Sequence, residues 1–147
     1  MTNKMLALDM DGTFVNLYGV DGWLDMIRAE DTTPYEVAQP IYDMDELNSL
    51  LNSLRAIGYR ITVISWCAKN ATKAYDKAVR AAKRNWLKAH NVPVDEIHIV
   101  KYGTPKAYTV KGEAILADDE EPNRKAWYRG ETIDATKNLL EELRKLV

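Results

Sequence analysis

The sequence has one cysteine, Cys67, among its 147 residues. A lone cysteine excludes an intrachain disulfide and a zinc site built on several cysteines, and it favours a reducing, cytoplasmic setting. Long apolar runs are also missing, so no segment is predicted to cross a membrane. The first predicted strand begins near Lys4, which leaves no room for a signal peptide. The net charge of −2 gives no general argument for a nucleic-acid or membrane partner.

Internal repeats and low-complexity segments are absent as well, and the rest of the composition is that of an ordinary globular protein. Apolar residues make up 46% of the chain and charged residues 29%. A chain of this length can bury a core of its own, so we predict a single domain over residues 1–147. The sequence predicts no oligomeric state.

Alternating strand and helix patterns predict an α/β fold. Asp43 and Glu46 form a capping box, which is followed by leucines at helical spacing and by Gly58 as a C-terminal cap. Asn70 is the predicted N-cap of a long helix that runs to about residue 90, and Asp134 is that of a final helix. Apolar and β-branched runs predict buried strands at residues 4–8, 59–65, 96–100 and 114–117. This order predicts a Rossmann-like three-layer sandwich around a central parallel sheet.

The connection from about residue 14 to residue 42 is too long for a simple loop. A short helix fits residues 22–30, and the segment is acidic and aromatic. We predict that it forms a small cap inserted after the first strand, in which Tyr18, Trp23 and Tyr35 are candidates for stacking on a substrate base. A surface excursion with no role in chemistry is the alternative.

The clearest chemical signal lies at the end of the first strand, where Asp9, Asp11, Gly12 and Thr13 follow an apolar run. Ligands of open α/β sheets bind outside the carboxyl ends of the strands. The turn at Gly12 should take the two carboxylates out of register, so that one can attack phosphorus and the other can donate a proton. Two solvated acids at a strand end are the alternative.

A second apolar strand ends in Asp118 and Asp119. Adjacent carboxylates repel each other unless a cation or a basic group lies between them. If this strand lies beside the first, its acids converge with Asp9, and a set of oxygen ligands favours Mg²⁺ over zinc or copper. An acidic turn that binds no metal is the alternative.

Ser65 ends a further strand, where its hydroxyl and nearby backbone N–H groups can hold a phosphate oxygen. Its neighbour Trp66 is a candidate substrate contact. A lysine is also needed to balance the charge of a phosphoryl group. Lys101, Lys106 and Lys111 all precede the fourth strand, and their spacing in the sequence does not choose among them.

These four elements resemble the haloacid dehalogenase superfamily of phosphatases. The pattern of that superfamily is Asp-x-Asp-x-Thr, then Ser or Thr, then a lysine, then a pair of acids. The resemblance implies that Asp9 is the nucleophile and a Mg²⁺ ligand. It implies that Asp11 protonates the leaving oxygen, then acts as base for the hydrolytic water, and binds Mg²⁺ through its main-chain carbonyl.

The same resemblance implies the remaining roles. Thr13 supports the turn beside the substrate, Ser65 and Lys106 bind the transferring phosphoryl group, Asp119 ligates the metal directly, and Asp118 assists through water. Lys106 is preferred over Lys101 because its distance to Asp118 resembles that in the 5′-deoxyribonucleotidase branch.

The substrate is predicted from the long helix. Residues 83–90 resemble the basic, Trp-containing helix of the 5′(3′)-deoxyribonucleotidases and their small phage-type relatives, which implies a nucleoside monophosphate substrate. Residues 118–123 also resemble the last motif of small Mg²⁺-dependent protein or sugar phosphatases, so that alternative stays open. A binder of phosphorylated ligands without turnover is a further alternative, against which the full set of catalytic residue types argues.

The long helix also carries a basic stripe. We interpret this stripe as a solvent-exposed face of the helix, and a binding surface for the end of a polynucleotide is the alternative. The stripe consists of Lys73, Lys77, Arg80, Arg84 and Lys88.

Overall fold

A computed structural model describes residues 4–147. The strands are β1 (Lys4–Leu8), β2 (Val15–Asn16), β3 (Gln39–Pro40), β4 (Tyr59–Trp66), β5 (Glu96–Val100), β6 (Ile115–Asp118) and β7 (Thr132–Asp134). The α-helices are α1 (Trp23–Arg28), α2 (Thr33–Val37), α3 (Met44–Ala56), α4 (Lys73–Ala89), α5 (Glu121–Ala126) and α6 (Leu139–Arg144). Short 3-10 helices lie at Leu17–Gly19 and Lys106–Tyr108. Within residues 4–147, no helix is long and apolar enough to span a bilayer.

Five strands form one parallel sheet in the order β5-β4-β1-β6-β7. The largely apolar β1 is the central strand: all five of its residues pair with β4 on one side, and its last three pair with β6 on the other. Parallel pairing places the carboxyl ends of all five strands at one edge. The predicted α/β, Rossmann-like architecture is confirmed.

Alternate residues of the central strands supply two cores, one on each side of the sheet. Leu6 and Leu8 of β1 face a core built with leucines of α3 and α6, whereas Ala7 faces the other side. The second core is closed by the segment after the Lys106–Tyr108 helix and by Trp127. The sheet is therefore buried on both faces, which holds the ends of its strands in fixed positions.

The predicted cap segment folds as a small unit after β1. β2 and β3 pair antiparallel at its base, and α1 and α2 lie between them in sequence. Leu17 and Tyr35 of this segment pack against Tyr75 and Val79 of α4. Two contacts fasten it to the start of α4: the hydroxyl of Tyr75 donates to the carbonyl of Asp31 at 2.8 Å, and the hydroxyl of Thr72 donates to Glu30 at 2.6 Å.

Two predicted helix caps are wrong. Thr72, not Asn70, caps α4, since its hydroxyl accepts from the backbone N–H of Tyr75. Asn70 has a φ of 56°, outside the extended conformation that an N-cap adopts. Asn138, not Asp134, caps α6, because Asp134 ends β7 and its carboxylate accepts instead from Thr136. The cap at Asp43 is confirmed by its bond from the N–H of Glu46.

The basic stripe of α4 divides into two parts. Arg80 donates to the carbonyl of Ile99 at 2.8 Å, and Arg84 donates to the carbonyl of Ile97 at 3.4 Å. Both carbonyls belong to β5, the outermost strand on that side of the sheet. The three lysines of the stripe are exposed: Lys73, Lys77 and Lys88.

Candidate active site

The candidate site lies where β1, β4 and β6 end side by side. Asp9 follows β1, Ser65 lies near the end of β4, and Asp118 ends β6. These strands are neighbours in the sheet, so their ends place the three side chains in one region. The structure thus brings together the residues that the sequence motifs singled out.

Asp9 is held by a donor on each of its carboxylate oxygens. The Thr13 hydroxyl donates to Oδ2 at 2.9 Å, and the Lys106 ammonium donates to Oδ1 at 2.8 Å. Lys106 is 6% exposed and also contacts Asp118 Oδ2 at 2.7 Å. Its burial disfavours the charged form, but the carboxylates of Asp9 and Asp118 outweigh this and raise the pKa of Lys106 above its usual value. Lys106 therefore stays charged beside Asp9.

The other two candidate lysines are not part of this arrangement. Lys101 is exposed after β5. Lys111 is also exposed, and it lines a separate depression together with Lys4, near the amino end of β1. Lys106 is thus the one candidate whose ammonium contacts Asp9.

Asp118 and Asp119 have different surroundings despite being adjacent. Asp118 is fully buried, and both of its carboxylate oxygens accept hydrogen bonds, from the N–H of Glu120, the Asn123 amide and Lys106. Asp119 is only partly buried, and within residues 4–147 its carboxylate has only a weak 3.5 Å contact with the Thr13 hydroxyl, which already donates to Asp9. Asp119 is therefore the acid of this pair with carboxylate oxygens free for a ligand.

The site holds more carboxyl groups than ammonium groups. Oxygens of Asp9, Asp118 and Asp119 lie within 4.8 Å of one another. With Asp11, four carboxyl groups lie beside the two ammonium groups of Lys83 and Lys106. If all four were ionised, two negative charges would remain, which either protons or a divalent cation would neutralise. Burial, together with the neighbouring Asp9 carboxylate, raises the pKa of Asp119 to about 8.

Gly12 is the residue that lets the chain turn between these carboxylates. Its φ is +82°, and a Cβ at this position would overlap the Asp119 carboxylate. We predict that Gly12→Ala lowers the free energy of unfolding by about 2 kcal/mol or more, because backbone strain adds to the displacement of Asp119. Urea denaturation measures the loss.

Gly112→Ala is the matched control for this prediction. Gly112 has nearly the same φ, +83°, but a Cβ there meets no atom within 4 Å. The control carries the backbone strain without the collision. Equal losses of stability in the two variants would show that the contact with Asp119 has no effect.

Lys83 was not predicted as a site residue, and it lies at the centre of the polar contacts. Its side chain is 2% exposed. Its ammonium donates to Asp11 Oδ2 at 2.8 Å, to Ser65 Oγ at 2.7 Å and to the carbonyl of Trp66 at 2.8 Å. It also lies 5.1 Å from the centre of the Tyr35 ring. One buried ammonium thus connects the ends of β1 and β4 with the cap segment.

A sequence signal for Lys83 existed. α4 is amphipathic, and Lys83 lies four residues after Val79 and three before Trp86, on the face that the helix buries. A lysine on the apolar face of a helix must find a carboxylate, because an unpaired buried charge is costly. The basic stripe drew attention to the opposite face.

Lys83 changes the electrostatics of Asp11. Burial raises the pKa of Asp11, the nearby Asp9 carboxylate adds to this, and the Lys83 ammonium opposes both. Because Ser65 accepts its hydrogen bond from Lys83, the Ser65 hydroxyl hydrogen remains available to a ligand. The contact therefore prepares both residues for a role toward a substrate.

A cavity of about 670 Å³ opens over these groups, a volume usual for small-molecule sites. Asp9, Asp11, Ser65 and Lys106 form part of its lining. Two aromatic pairs line it further out: Tyr18 with Trp23 on the cap segment, and Trp66 with Tyr102 on the body of the fold. In each pair, the ring centres are 5.0 Å apart.

The three aromatic residues of the cap segment that were predicted to stack on a base differ in their exposure. Tyr18 is 47% exposed, and Trp23 is partly exposed, whereas Tyr35 is 5% exposed and packs on Lys83. The acidic side chains of the cap segment mostly point elsewhere, since Glu30 is its one acid that lines the cavity.

Comparison with known proteins gives structural neighbours only. No family model and no curated protein matches the sequence. The fold is similar to that of D,D-heptose 1,7-bisphosphate phosphatase from Burkholderia thailandensis, with a TM-score of 0.55 and 12% identity over 96% of this chain and 98% of that chain. The enzyme of the same name from B. bronchiseptica, in complex with magnesium and phosphate, has a TM-score of 0.55 and 11% identity over 98% and 99%. At such identities, the likeness shows the fold alone.

Proposed function

We propose that this protein is a Mg²⁺-dependent phosphomonoester hydrolase of the haloacid dehalogenase superfamily, which acts through a phosphoryl group on Asp9. The observation that carries the proposal is the arrangement around Asp9 at the carboxyl end of β1. Its carboxylate faces a cavity, contacts a charged lysine at 2.8 Å, and lies beside a second acid, Asp11, that has its own lysine. The shared fold of the two bisphosphate phosphatases supports this choice.

In the first half of the reaction, a carboxylate oxygen of Asp9 attacks phosphorus, and the bond from phosphorus to the leaving oxygen breaks. Lys106 offsets negative charge on the phosphoryl oxygens, and the Ser65 hydroxyl donates to one of them. Thr13 keeps the attacking carboxylate in place through its bond to Asp9. Asp11, protonated at this stage, gives its proton to the leaving oxygen.

In the second half, Asp11 takes a proton from the water that attacks the phosphoryl group on Asp9. The Asp9 carboxylate and inorganic phosphate are released, and Asp11 is again protonated for the next cycle. Burial favours the protonated form of Asp11, and Lys83 favours the ionised form. Their opposition suits a residue that must alternate between the two forms.

The donor set fits a hard divalent cation, because all the converging ligands are oxygens. Asp9, Asp119 and the main-chain carbonyl of Asp11 would hold Mg²⁺. Asp118 would assist indirectly, because it is fully buried and accepts three protein hydrogen bonds. Bound Mg²⁺ would supply positive charge beside the phosphoryl oxygens.

The affinity for Mg²⁺ should rise with pH between about 6 and 8. Without a divalent cation, the pKa of Asp119 is raised from 3.8 to about 8, so Mg²⁺ must displace a proton below pH 8. We expect the dissociation constant to fall by up to about tenfold per pH unit in this window and to level off above it. Isothermal calorimetry at several pH values measures this change.

The same shift has a consequence for stability in Mg²⁺-free buffer. Asp119 holds its proton in the folded protein and has lost it in the unfolded chain between pH 4 and 8, so its contribution to stability falls as pH rises through that window. Asp119→Asn should weaken both the pH dependence of stability and the response to Mg²⁺, whereas Asp21→Asn, at an exposed acid of the cap segment, should keep both unchanged. A Mg²⁺ affinity that is independent of pH would contradict the assignment.

For the substrate, we propose a (deoxy)nucleoside monophosphate. The Tyr18–Trp23 and Trp66–Tyr102 pairs provide flat apolar surfaces on two sides of the cavity, and such surfaces stack on a nucleobase. The indole N–H of Trp66 donates to the carbonyl of Thr104 at 2.8 Å, which fixes the ring beside Lys106. A sugar phosphate is the second candidate, because both structural neighbours are named as phosphatases of a sugar bisphosphate.

The test is phosphate release with Mg²⁺ from p-nitrophenyl phosphate, deoxy- and ribonucleoside monophosphates, and sugar phosphates. We expect turnover of the first compound and the highest kcat/KM for a nucleotide. No release from any phosphomonoester would refute the hydrolase and favour a protein that only binds phosphorylated ligands. A higher kcat/KM for a sugar phosphate would overturn the nucleotide assignment alone.

A further inference from the structure

The cavity lining includes two basic side chains for which the proposed reaction has no use. Arg28 is the last residue of α1 on the cap segment, and Lys69 follows β4 on the body of the fold. Both line the cavity, and both are exposed. Within residues 4–147, neither forms an ion pair with a carboxylate. One cation from the cap segment and one from the body of the fold thus line the same cavity.

Glu30 is the acid of the cap segment in the cavity lining, and its carboxylate already accepts hydrogen bonds. It accepts from the hydroxyl of Thr72 at 2.6 Å and from the N–H of Thr72 at 3.1 Å, at the start of α4. These bonds hold the pKa of Glu30 below its usual value and fix it to the helix end. Arg28 and Lys69, which together we call the rim, are therefore left without a carboxylate partner within residues 4–147.

From these observations, we infer that Arg28 and Lys69 form a subsite for a second phosphate, carried by the leaving group of the substrate. The inference rests on the proposed phosphatase function and narrows its substrate class. Asp9 and Lys106 take the phosphate that is removed, the aromatic pairs take the base, and the rim takes the additional phosphate. The substrate is then a nucleoside with two phosphates on different oxygens, or the phosphorylated end of a polynucleotide.

The surface beyond the rim bears on the choice between these two sources. Lys73 and Lys77 are exposed, lie four and eight residues after Lys69, and occupy the first turns of α4. They add positive charge to the exposed start of α4, close in sequence to Lys69. A free nucleoside bisphosphate needs only the rim, whereas a polynucleotide would also contact these lysines through its next phosphates.

The test compares kcat/KM at low salt for a nucleoside 5′-monophosphate, the matching 3′,5′-bisphosphate and a 5′-phosphorylated trinucleotide. We expect the wild-type protein to prefer the bisphosphate to the monophosphate by about tenfold, the strength of one or two charged hydrogen bonds. Arg28→Gln with Lys69→Gln should reduce this ratio to about one. Lys88→Gln, at an exposed position near the far end of α4, is the control and should keep the ratio.

The outcomes separate the sources. A higher kcat/KM for the trinucleotide than for the bisphosphate, lowered by Lys73→Gln and Lys77→Gln, assigns the second phosphate to a polynucleotide. Equal kcat/KM values for these two substrates assign it to a free bisphosphate. The subsite is overturned if the wild-type protein has equal kcat/KM for the bisphosphate and the monophosphate. It is also overturned if the preference for the bisphosphate persists when both Arg28 and Lys69 are replaced by Gln.

A binding measurement keeps the subsite testable if turnover fails. Calorimetric titration of the wild-type protein with the monophosphate and with the bisphosphate, in Mg²⁺ buffer, should give at least fivefold tighter binding of the bisphosphate. The double substitution should remove this difference. A protein that releases no phosphate but shows the difference would refute the hydrolase and retain the subsite, and equal affinities would refute the subsite itself.

Discussion

Asp9→Asn is expected to lower the rate of phosphate release by about a thousandfold or more, the scale of loss when a covalent nucleophile is replaced. The neutral amide cannot form the acyl phosphate that a carboxylate forms, but it has the size of the carboxylate. Its oxygen can still accept from Thr13 or Lys106, and Lys106 retains Asp118 as a partner. The fold should therefore remain intact while the chemistry stops.

Two measurements make this result specific. Acid-quenched wild-type protein in turnover should show one added phosphoryl group by intact mass, and Asp9→Asn should show none. Asp21→Asn is the matched control, because it removes one exposed acid of the cap segment that does not line the cavity. Retention of more than a tenth of the activity in Asp9→Asn would contradict the assignment of the nucleophile.

Lys83→Met is expected to have the second-largest effect, on both stability and rate. Removal of the ammonium leaves the largely buried Asp11 without the partner that stabilises its ionised form, and broken buried pairs typically cost about 3–5 kcal/mol. Asp11→Asn in the same chain removes the acid that loses its partner. The double variant should therefore be more stable than Lys83→Met alone, which urea denaturation measures. Lys88→Met, on the exposed side of the same helix, should be nearly neutral.

The rate of Lys83→Met tests how the lysine acts. If it positions Asp11 as proton donor, kcat should fall by about a hundredfold or more for an alkyl phosphate, whose leaving group needs a proton. The fall should be smaller for p-nitrophenyl phosphate, whose leaving group departs as an anion. Equal losses for the two substrates would indicate a structural role alone.

The sequence was informative where local chemistry decides the structure. β1, α3, β4 and β5 lie within one or two residues of their predicted bounds, because apolar runs and the Asp43 capping box are local signals. β7 and α5 were not predicted. β7 has three residues and exists because it pairs with β6, and α5 has no apolar spacing of its own. Such elements depend on contacts that a linear pattern does not contain.

The same distinction applies to the candidate site. Asp9, Asp118 and Ser65 were found because each follows a recognisable strand, and parallel strands must end together. Lys83 was missed because its partners, Asp11 and Ser65, are 72 and 18 residues away along the chain. Lys106 was preferred over Lys101 through the resemblance alone, and the fold places the Lys106 ammonium against Asp9. The chemical roles of all these residues stay predictions until they are tested.

The two arginines of α4 that donate to β5 also affect how separate copies of the protein meet. An outermost strand with free carbonyls is a template on which another chain can add a strand, and such addition leads to aggregates. Arg80 and Arg84 occupy two of these carbonyls with bulky, charged groups. At the opposite margin, β7 has only three residues and offers little length for pairing. Both edges of the sheet thus offer little free backbone to a strand from another copy. We expect Arg80→Ala with Arg84→Ala to increase aggregation, measured as light scattering on gentle heating.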